Sequence, residues 1–170
     1  MDKFIKRGNL VYIRKPDFEE IDYIKKLWSD EDTMRDVGGA IHYSEYKWEN
    51  WYKRMVDPGN GKNFYCLIYN MENTPVGEVS FHGYDRNTKT ADLNVKVENK
   101  YRGNNYGNEA VMLLLEYYFN SYGGEVIFDT VANENGIEAL KTWKFEVLEE
   151  KGKEVLFRMT KENFNKMVEQ

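Results

Sequence analysis

The chain is almost without cysteine. Among its 170 residues there is one, Cys66, so no internal disulfide can form and a disulfide-stapled scaffold is excluded. Cys66 lies in the apolar run Phe64-Tyr65-Cys66-Leu67-Ile68, with no basic or histidine neighbour to favour a thiolate, and a buried, inert thiol is expected. Proline is scarce too: Pro16, Pro58 and Pro75 each fall near an expected element boundary. There is no internal repeat, low-complexity tract or Pro-rich linker, so a single domain over residues 1–170 is expected. No apolar run approaches the roughly 18 residues that a membrane span needs. Met1 to Gly8 carries three Lys/Arg but no apolar h-region or cleavage site. A cytoplasmic protein with no membrane partner is the expectation. Basic runs are missing as well. The 24 Lys+Arg against 29 Asp+Glu leave a net charge of −5, which argues against a nucleic-acid-binding module. Assembly is left open between a monomer and a homodimer.

What is present is enough apolar matter for a core: 41% hydrophobic residues, 15% aromatic, in a chain of a length that buries most of its unfolded surface. Leu10 to Arg14 alternates apolar and polar positions and predicts a strand. Asp17 is placed to cap a helix running to Trp28, with Phe18, Ile21, Ile24, Leu27 and Trp28 at helical spacing. Ser44 to Met55 predicts a second helix, whose Trp48, Trp51, Tyr52 and Met55 share a face. Between them, Thr33 to Tyr43 with Gly38-Gly39 reads as an irregular or partly helical loop. A meander follows: strands at Asn63–Tyr69, Pro75–Tyr84 and Thr90–Val97, joined by polar turns. The last alternates cleanly, Ala91, Leu93, Val95 and Val97 against Asp92, Asn94 and Lys96. The order then becomes α/β: a helix from Tyr106 or Gly107 to about Tyr122, ended by Gly123-Gly124, a strand at Val126–Val131 and a short helix at Ile137–Trp143. Phe145–Glu149 and Glu154–Thr160 predict a hairpin, and Lys161 onward a terminal helix. The class is α+β, with one mixed sheet flanked by helices.

One segment carries chemistry. After the strand ending at Val97 comes Tyr101-Arg102-Gly103-Asn104-Asn105-Tyr106-Gly107, and a helix begins at once. First-turn amides have no partner inside their helix, and the helix dipole adds partial positive charge there. Glycines let a backbone approach an anion closely, so the loop is a candidate phosphate site. A nucleotide P-loop is excluded because Gly-Lys-Ser/Thr is missing, and no Gly triplet has dinucleotide-loop spacing.

This segment resembles motif A of the GNAT N-acetyltransferase superfamily, Arg/Gln-x-x-Gly-x-Gly/Ala. Arg102 stands at its first position and Gly107 at its last, while Asn105 replaces the middle glycine. Asn is the non-glycine residue that best tolerates left-handed geometry. Downstream, Asn133 and Phe145 match the family's Asn…Gly-Phe element, with Lys144 in place of the glycine. Leu140 stands where many members carry a tyrosine acting as general acid. The opening Leu10 to Arg14 and the Trp-rich second helix look like the ribosomal-protein-alanine N-acetyltransferase subfamily.

The resemblance implies a β-meander followed by βαβ with a splayed pair of central strands, acetyl-CoA as co-substrate, no metal, and an amine acceptor of unknown identity. Arg102, Gly103, Asn104, Asn105, Tyr106 and Gly107 would hold the pyrophosphate. Val95, Lys96 and Val97 would run beside the pantetheine, and Asn133 would bond that arm or its neighbouring backbone. The amine would attack directly, with no covalent enzyme intermediate. Glu98, Glu78 and His82 are the candidate bases; Asp92 is a further carboxylate on the central strands. Glu78 and His82 share a strand face, and histidine is the side-chain type best suited to exchange protons near neutral pH. Each has a plainer reading as a paired or solvated side chain. His42, Trp48, Trp51 and Tyr52 could line an acceptor site, although the aromatic residues read equally as a helix's buried face. A second class of function stays open, a degenerate member that binds acyl-CoA as a sensor or scaffold without turnover.

Overall fold

The computed structural model describes residues 4–170. Within the opening stretch Met1 to Gly8, Met1–Lys3 lie outside the described residues. Among those described, eight strands form one sheet in the order β1-β2-β3-β4-β5-β6-β8-β7. They are β1 (Ile5–Arg7), β2 (Val11–Arg14), β3 (Phe64–Asn70), β4 (Pro75–Asp85), β5 (Thr90–Val97), β6 (Val126–Val131), β7 (Glu146–Lys151) and β8 (Glu154–Thr160). Every neighbouring pair is antiparallel except β5 with β6. The helices are α1 (Ile21–Ser29), α2 (Glu31–Met34), α3 (Trp48–Met55), α4 (Tyr106–Tyr117), α5 (Glu134–Thr142) and α6 (Lys161–Val168). No helix among the described residues is long and apolar enough to cross a membrane.

Strand alternation divides the core in two. Tyr12, Tyr65, Leu67 and Tyr69 point to one face, where Ile21 and Ile24 of α1 and Trp48, Trp51 and Tyr52 of α3 cover them. Val11, Ile13, Phe64, Phe81 and Leu93 point to the other, under Leu114 and Leu115 of α4 and Phe164 of α6. Strand β3 is covered on both faces and is buried along its whole length, which is why it reads as a continuous apolar run. Cys66 lies there with no exposure, and burial pushes its thiol well above the usual range. At the far edge β7 is exposed throughout, and its Glu146, Glu149, Glu150 and Lys151 are the kind of residue that discourages edge pairing.

Glu109, in the first turn of α4, accepts from the amides of Asn9, Leu10 and Val11 at 2.5, 2.6 and 2.9 Å. One carboxylate thus ties the turn before β2 to the start of α4. The helix continues through a π-type turn, Tyr118–Tyr122, and ends at Gly123 with φ 112°. Four elements differ from the sequence expectations; one is the helix expected from Ser44, which opens as a 3₁₀ turn over Glu45–Lys47 before α3 begins at Trp48. Strand β1 is short and partly exposed, and gave no alternation to read. The helix expected from Asp17 begins as a 3₁₀ turn over Phe18–Glu20. Helix α5 starts at Glu134 instead of Ile137, because Asn133 caps it by accepting from the Gly136 amide at 2.7 Å.

Candidate functional site

The site begins with a fault in the sheet. Strands β5 and β6 pair only over Thr90–Asp92 with Val126–Phe128. Past that point β5 stays paired to β4 as far as Val97, and β6 to β8 as far as Val131, but not to each other. Two central strands therefore diverge in the middle of the sheet, with backbone groups facing the gap. Buried backbone groups need partners, so a gap of this kind suits an occupant that can supply them. A cavity of about 310 Å³ opens there. Val95, Lys96 and Val97 form one wall and Asp129 and Val131 the other; Leu140 and Trp143 of α5 and its end lie across it.

At the open end of the gap the chain turns through Asn99–Tyr101 and enters α4. Gly103 has φ 87° and Asn105 φ 64°, so both take left-handed backbone. This is the shape that the motif's middle glycine would take, and Asn105 adopts it as expected for Asn. The first-turn amides of α4 follow directly, lacking helical partners. Gly107 lines the cavity, and a Cβ there would stand 3.2 Å from Val97 Cγ2. A second depression of about 190 Å³ lies over the loop, lined by Gly103, Asn105, Tyr106 and Gly107. The exposed Asn104 side chain folds back on the loop, donating to the Tyr101 carbonyl at 2.9 Å.

Arg102 lines the cavity, but its donors point at protein. Nε donates to the Val97 carbonyl at 3.1 Å and a terminal nitrogen to the Thr33 carbonyl at 2.9 Å. The guanidinium expected to fork onto a phosphate acts here as a clamp between the end of β5 and α2. Asn133 likewise does two structural tasks: it caps α5 and donates to the Asp36 carbonyl at 3.1 Å. Lys144, where the family has glycine, has φ 66°. The Phe145 amide donates to the Leu140 carbonyl and the Lys144 amide to the Lys141 carbonyl, each at 3.0 Å. These two bonds close α5 as a Schellman motif, which wants glycine at that position.

The three candidate bases do not gather at the cavity. Glu78 is buried and saturated: Trp28 Nε1 at 2.5 Å and Tyr65 OH at 3.0 Å donate to one oxygen, Asn94 Nδ2 at 2.7 Å and Lys96 Nζ at 3.5 Å to the other. Glu98 is buried, accepts from Tyr23 OH at 3.0 Å and pairs with Lys100, and it lines a separate depression with Lys26 and Asp30. His82 is exposed and sits opposite Asp92, at the end where β5 and β6 are still joined. His42 is exposed, whereas Trp48, Trp51 and Tyr52 are the buried face of α3.

Two carboxylates outside that set line the cavity, Asp36 from the segment after α2 and, on the β6 wall of the gap, Asp129, which the sequence reading passed over. Burial is the main cause that lifts its pKa from 3.8 to about 7. The negative charge of Asp92 adds to this, while the Thr130 amide and Lys96 oppose it. One signal was available. Ile127, Asp129 and Val131 share a strand face by alternation, and Ile127 is fully buried, so an acid stands where an apolar residue belongs.

A family model for the acetyltransferase (GNAT) domain matches residues 9–139, a span that includes β2 to β6, the loop and α4. The chain belongs to the GNAT acetyltransferase family. Solved structures agree in fold. A GNAT-family acetyltransferase from Bacillus anthracis is 21% identical over 94% of this chain and 99% of that one, with TM-score 0.73. Spermidine N-acetyltransferase from Vibrio cholerae, solved with CoA and spermine, is 13% identical over 93% and 99%, with TM-score 0.79. A nucleotide-linked sugar GNAT is 17% identical over 97% and 94%, with TM-score 0.78. At these identities the likeness is one of fold. None of the curated proteins matches the sequence.

GNAT enzymes use acetyl-CoA, and the residues here fit it. The left-handed loop and the α4 amides suit a pyrophosphate. The apolar walls at Val95, Val97 and Val131 suit a pantetheine arm, whose amides match the unpaired strand edges.

Proposed function

We propose that this GNAT acetyltransferase moves the acetyl group of acetyl-CoA to a primary amine, either a peptide N-terminus or a small-molecule amine. The amine attacks directly, without a covalent enzyme intermediate. The observation that carries this reading is the alignment of one gap with one helix end: the divergence of β5 and β6 runs straight to the free amides of α4. Amides from Asn104 to Gly107 hold the pyrophosphate. Val95, Lys96 and Val97 offer backbone groups that orient the thioester carbonyl. Arg102 works one step back, fixing the loop to Val97 and Thr33 so that its amides stay aimed. Asn133 sets the start of α5 beside the gap. Acetyl-CoA supplies an activated acyl carbon; the chain supplies position and a site partly closed to water.

With Glu78 and Glu98 committed to protein donors and His82 away from the cavity, the amine's proton leaves through water in the cleft. For the acceptor, the opening strand and the Trp-rich α3 support a peptide α-amine, by their likeness to the ribosomal-protein-alanine subfamily. The polyamine-acetylating relative from Vibrio cholerae supports a small amine in the same screen. The test is release of free thiol from acetyl-CoA against peptide N-termini, polyamines and aminoglycosides. At least one acceptor should give turnover. Gly107→Val should weaken acetyl-CoA at least about tenfold in calorimetry, or about 1.4 kcal/mol, with the melting temperature kept. Unchanged affinity in that variant would overturn the assignment of the loop.

A further inference from the structure

The position where many GNAT members carry a tyrosine as proton donor is Leu140 in this chain, buried and without a polar atom on its side chain. Across the same cavity stands Asp129, on the β6 wall of the gap. Strand β6 holds it there firmly, since Asp129 pairs with Phe157 of β8, inside an unbroken register from Val126 to Val131. It shares a strand face with fully buried Ile127, on the core side of the sheet, and it lines the cavity.

We infer that Asp129 is the proton donor to the leaving thiolate of coenzyme A, replacing the tyrosine that Leu140 lacks. The inference rests on the acetyl-transfer reading above. In the step it assigns, the amine nitrogen bonds to the acetyl carbon and the C–S bond breaks. The electron pair of that bond goes to sulfur, which takes the proton from the Asp129 carboxyl. The surplus proton on nitrogen passes to water, and Asp129 regains one from water through the open cleft before the next turnover.

The surroundings suit a carboxyl that keeps its proton. The charged groups around it are Asp36 from the segment after α2, Arg102 from the loop, and Asp92 and Lys96 from β5. Arg102 is tied to the Val97 and Thr33 carbonyls, and Lys96 Nζ to Asn94 Oδ1 at 2.6 Å, so neither cation is committed to Asp129. Burial and Asp92 outweigh Lys96 and the Thr130 amide and bring the group to about 7. A donor that titrates near the working pH is the effective kind.

The sign for stability follows. The folded-state value lies above the unfolded one of 3.8, so the native state favours the protonated form. Stability from this group is present below the unfolded value and is lost as pH rises through about 7.

The experiment uses Asp129→Asn, which keeps the shape but has no carboxyl proton to give. Three results are expected. With an amine that the wild type accepts, kcat falls roughly 100-fold while acetyl-CoA affinity in calorimetry stays within about threefold. The decline of wild-type kcat as pH rises past about 7 disappears in the variant. Without any ligand, the variant's melting temperature gains on the wild type by at least about 3 °C between pH 5.5 and pH 8.5. Asp129→Ser repeats the measurements should the first variant misfold. A variant with kcat within threefold of the wild type overturns the inference and leaves acetyl transfer standing. A wild type that binds acetyl-CoA but releases no thiol with any amine overturns the underlying reading, and this one with it.

Discussion

Two carboxylates flank strand β5, and their surroundings are opposite. Glu78, on β4 opposite Lys96, receives four donors from α1, β3 and β5 and has almost no exposure. Asp129, across the gap on β6, has the Thr130 amide as a partner, sits in a cavity, and has its pKa raised. The first arrangement is what a buried charge needs for stability: every lone pair is met, and the elements that meet it are locked to one another. The second forgoes stability for a group that can change its protonation state near neutral pH. Buried acids are therefore not equivalent as functional candidates. The one left least satisfied beside an opening is the one to test.

The largest effect should come from breaking the satisfied side. Glu78→Ala leaves the Trp28 indole, the Tyr65 hydroxyl, Asn94 and Lys96 without their acceptor. We expect a loss of about 3–5 kcal/mol in urea denaturation, the usual cost of removing one partner of a buried charged group. The contrast with the expected pH-dependent gain at Asp129→Asn is the core of the comparison. A cost below about 1 kcal/mol at Glu78 would mean that the four-donor site is not what holds α1 to the sheet.

A smaller effect sharpens the same point. Trp28→Phe removes one donor to Glu78 and keeps a ring among Tyr43, Trp48 and Trp51. About 2 kcal/mol should be lost in the same denaturation experiment, as for a hydrogen bond to a charged group. Acetyl-CoA affinity should hardly change, because Trp28 lies outside the cleft. A variant that loses affinity but no stability would place this network in the binding site instead of beneath it.

How much of this could be read beforehand depended on distance along the chain. The meander, α4 and the final hairpin were legible because periodicity and turn residues act within a few positions. The motif loop was legible for the same reason, down to the left-handed Asn105. Glu78 reads as a candidate base beside its plainer reading as a paired side chain, and the choice is not legible because its donors Trp28 and Tyr65 are 50 and 13 residues away, with no local pattern to announce them. Arg102 reads as a phosphate ligand, and no local pattern announces its bond to the Thr33 carbonyl, 69 residues off. Asp129 left a local trace, an acid on the apolar face of β6. That trace gains meaning only once β5 and β6 are seen to part.

The smallest effects test the cleft side, where two residues stand in for the family's glycines. Lys144 closes α5 at φ 66° and Asn105 opens α4 at φ 64°. Equal angles need not mean equal strain. Lys has no local way to offset the left-handed clash of its Cβ, whereas Asn tolerates that region, and here its Oδ1 also accepts from Asn108 Nδ2 at 3.1 Å. Lys144→Gly should therefore stabilise the protein by about 1 kcal/mol, part of the left-handed penalty being offset by the extra freedom of glycine when unfolded. That is about 2–4 °C in a chain of this size. Asn105→Gly should change stability by no more than about 0.3 kcal/mol. Were the two gains equal, the angle alone would set the cost and asparagine would hold no advantage in the loop. Were Lys144→Gly destabilising, contacts of the lysine side chain would outweigh its backbone strain. The expected order, a clear gain at the end of α5 and almost none at the start of α4, would mean that the loop before α4 kept its geometry through the choice of Asn105, while the turn before Phe145 kept its geometry at a cost.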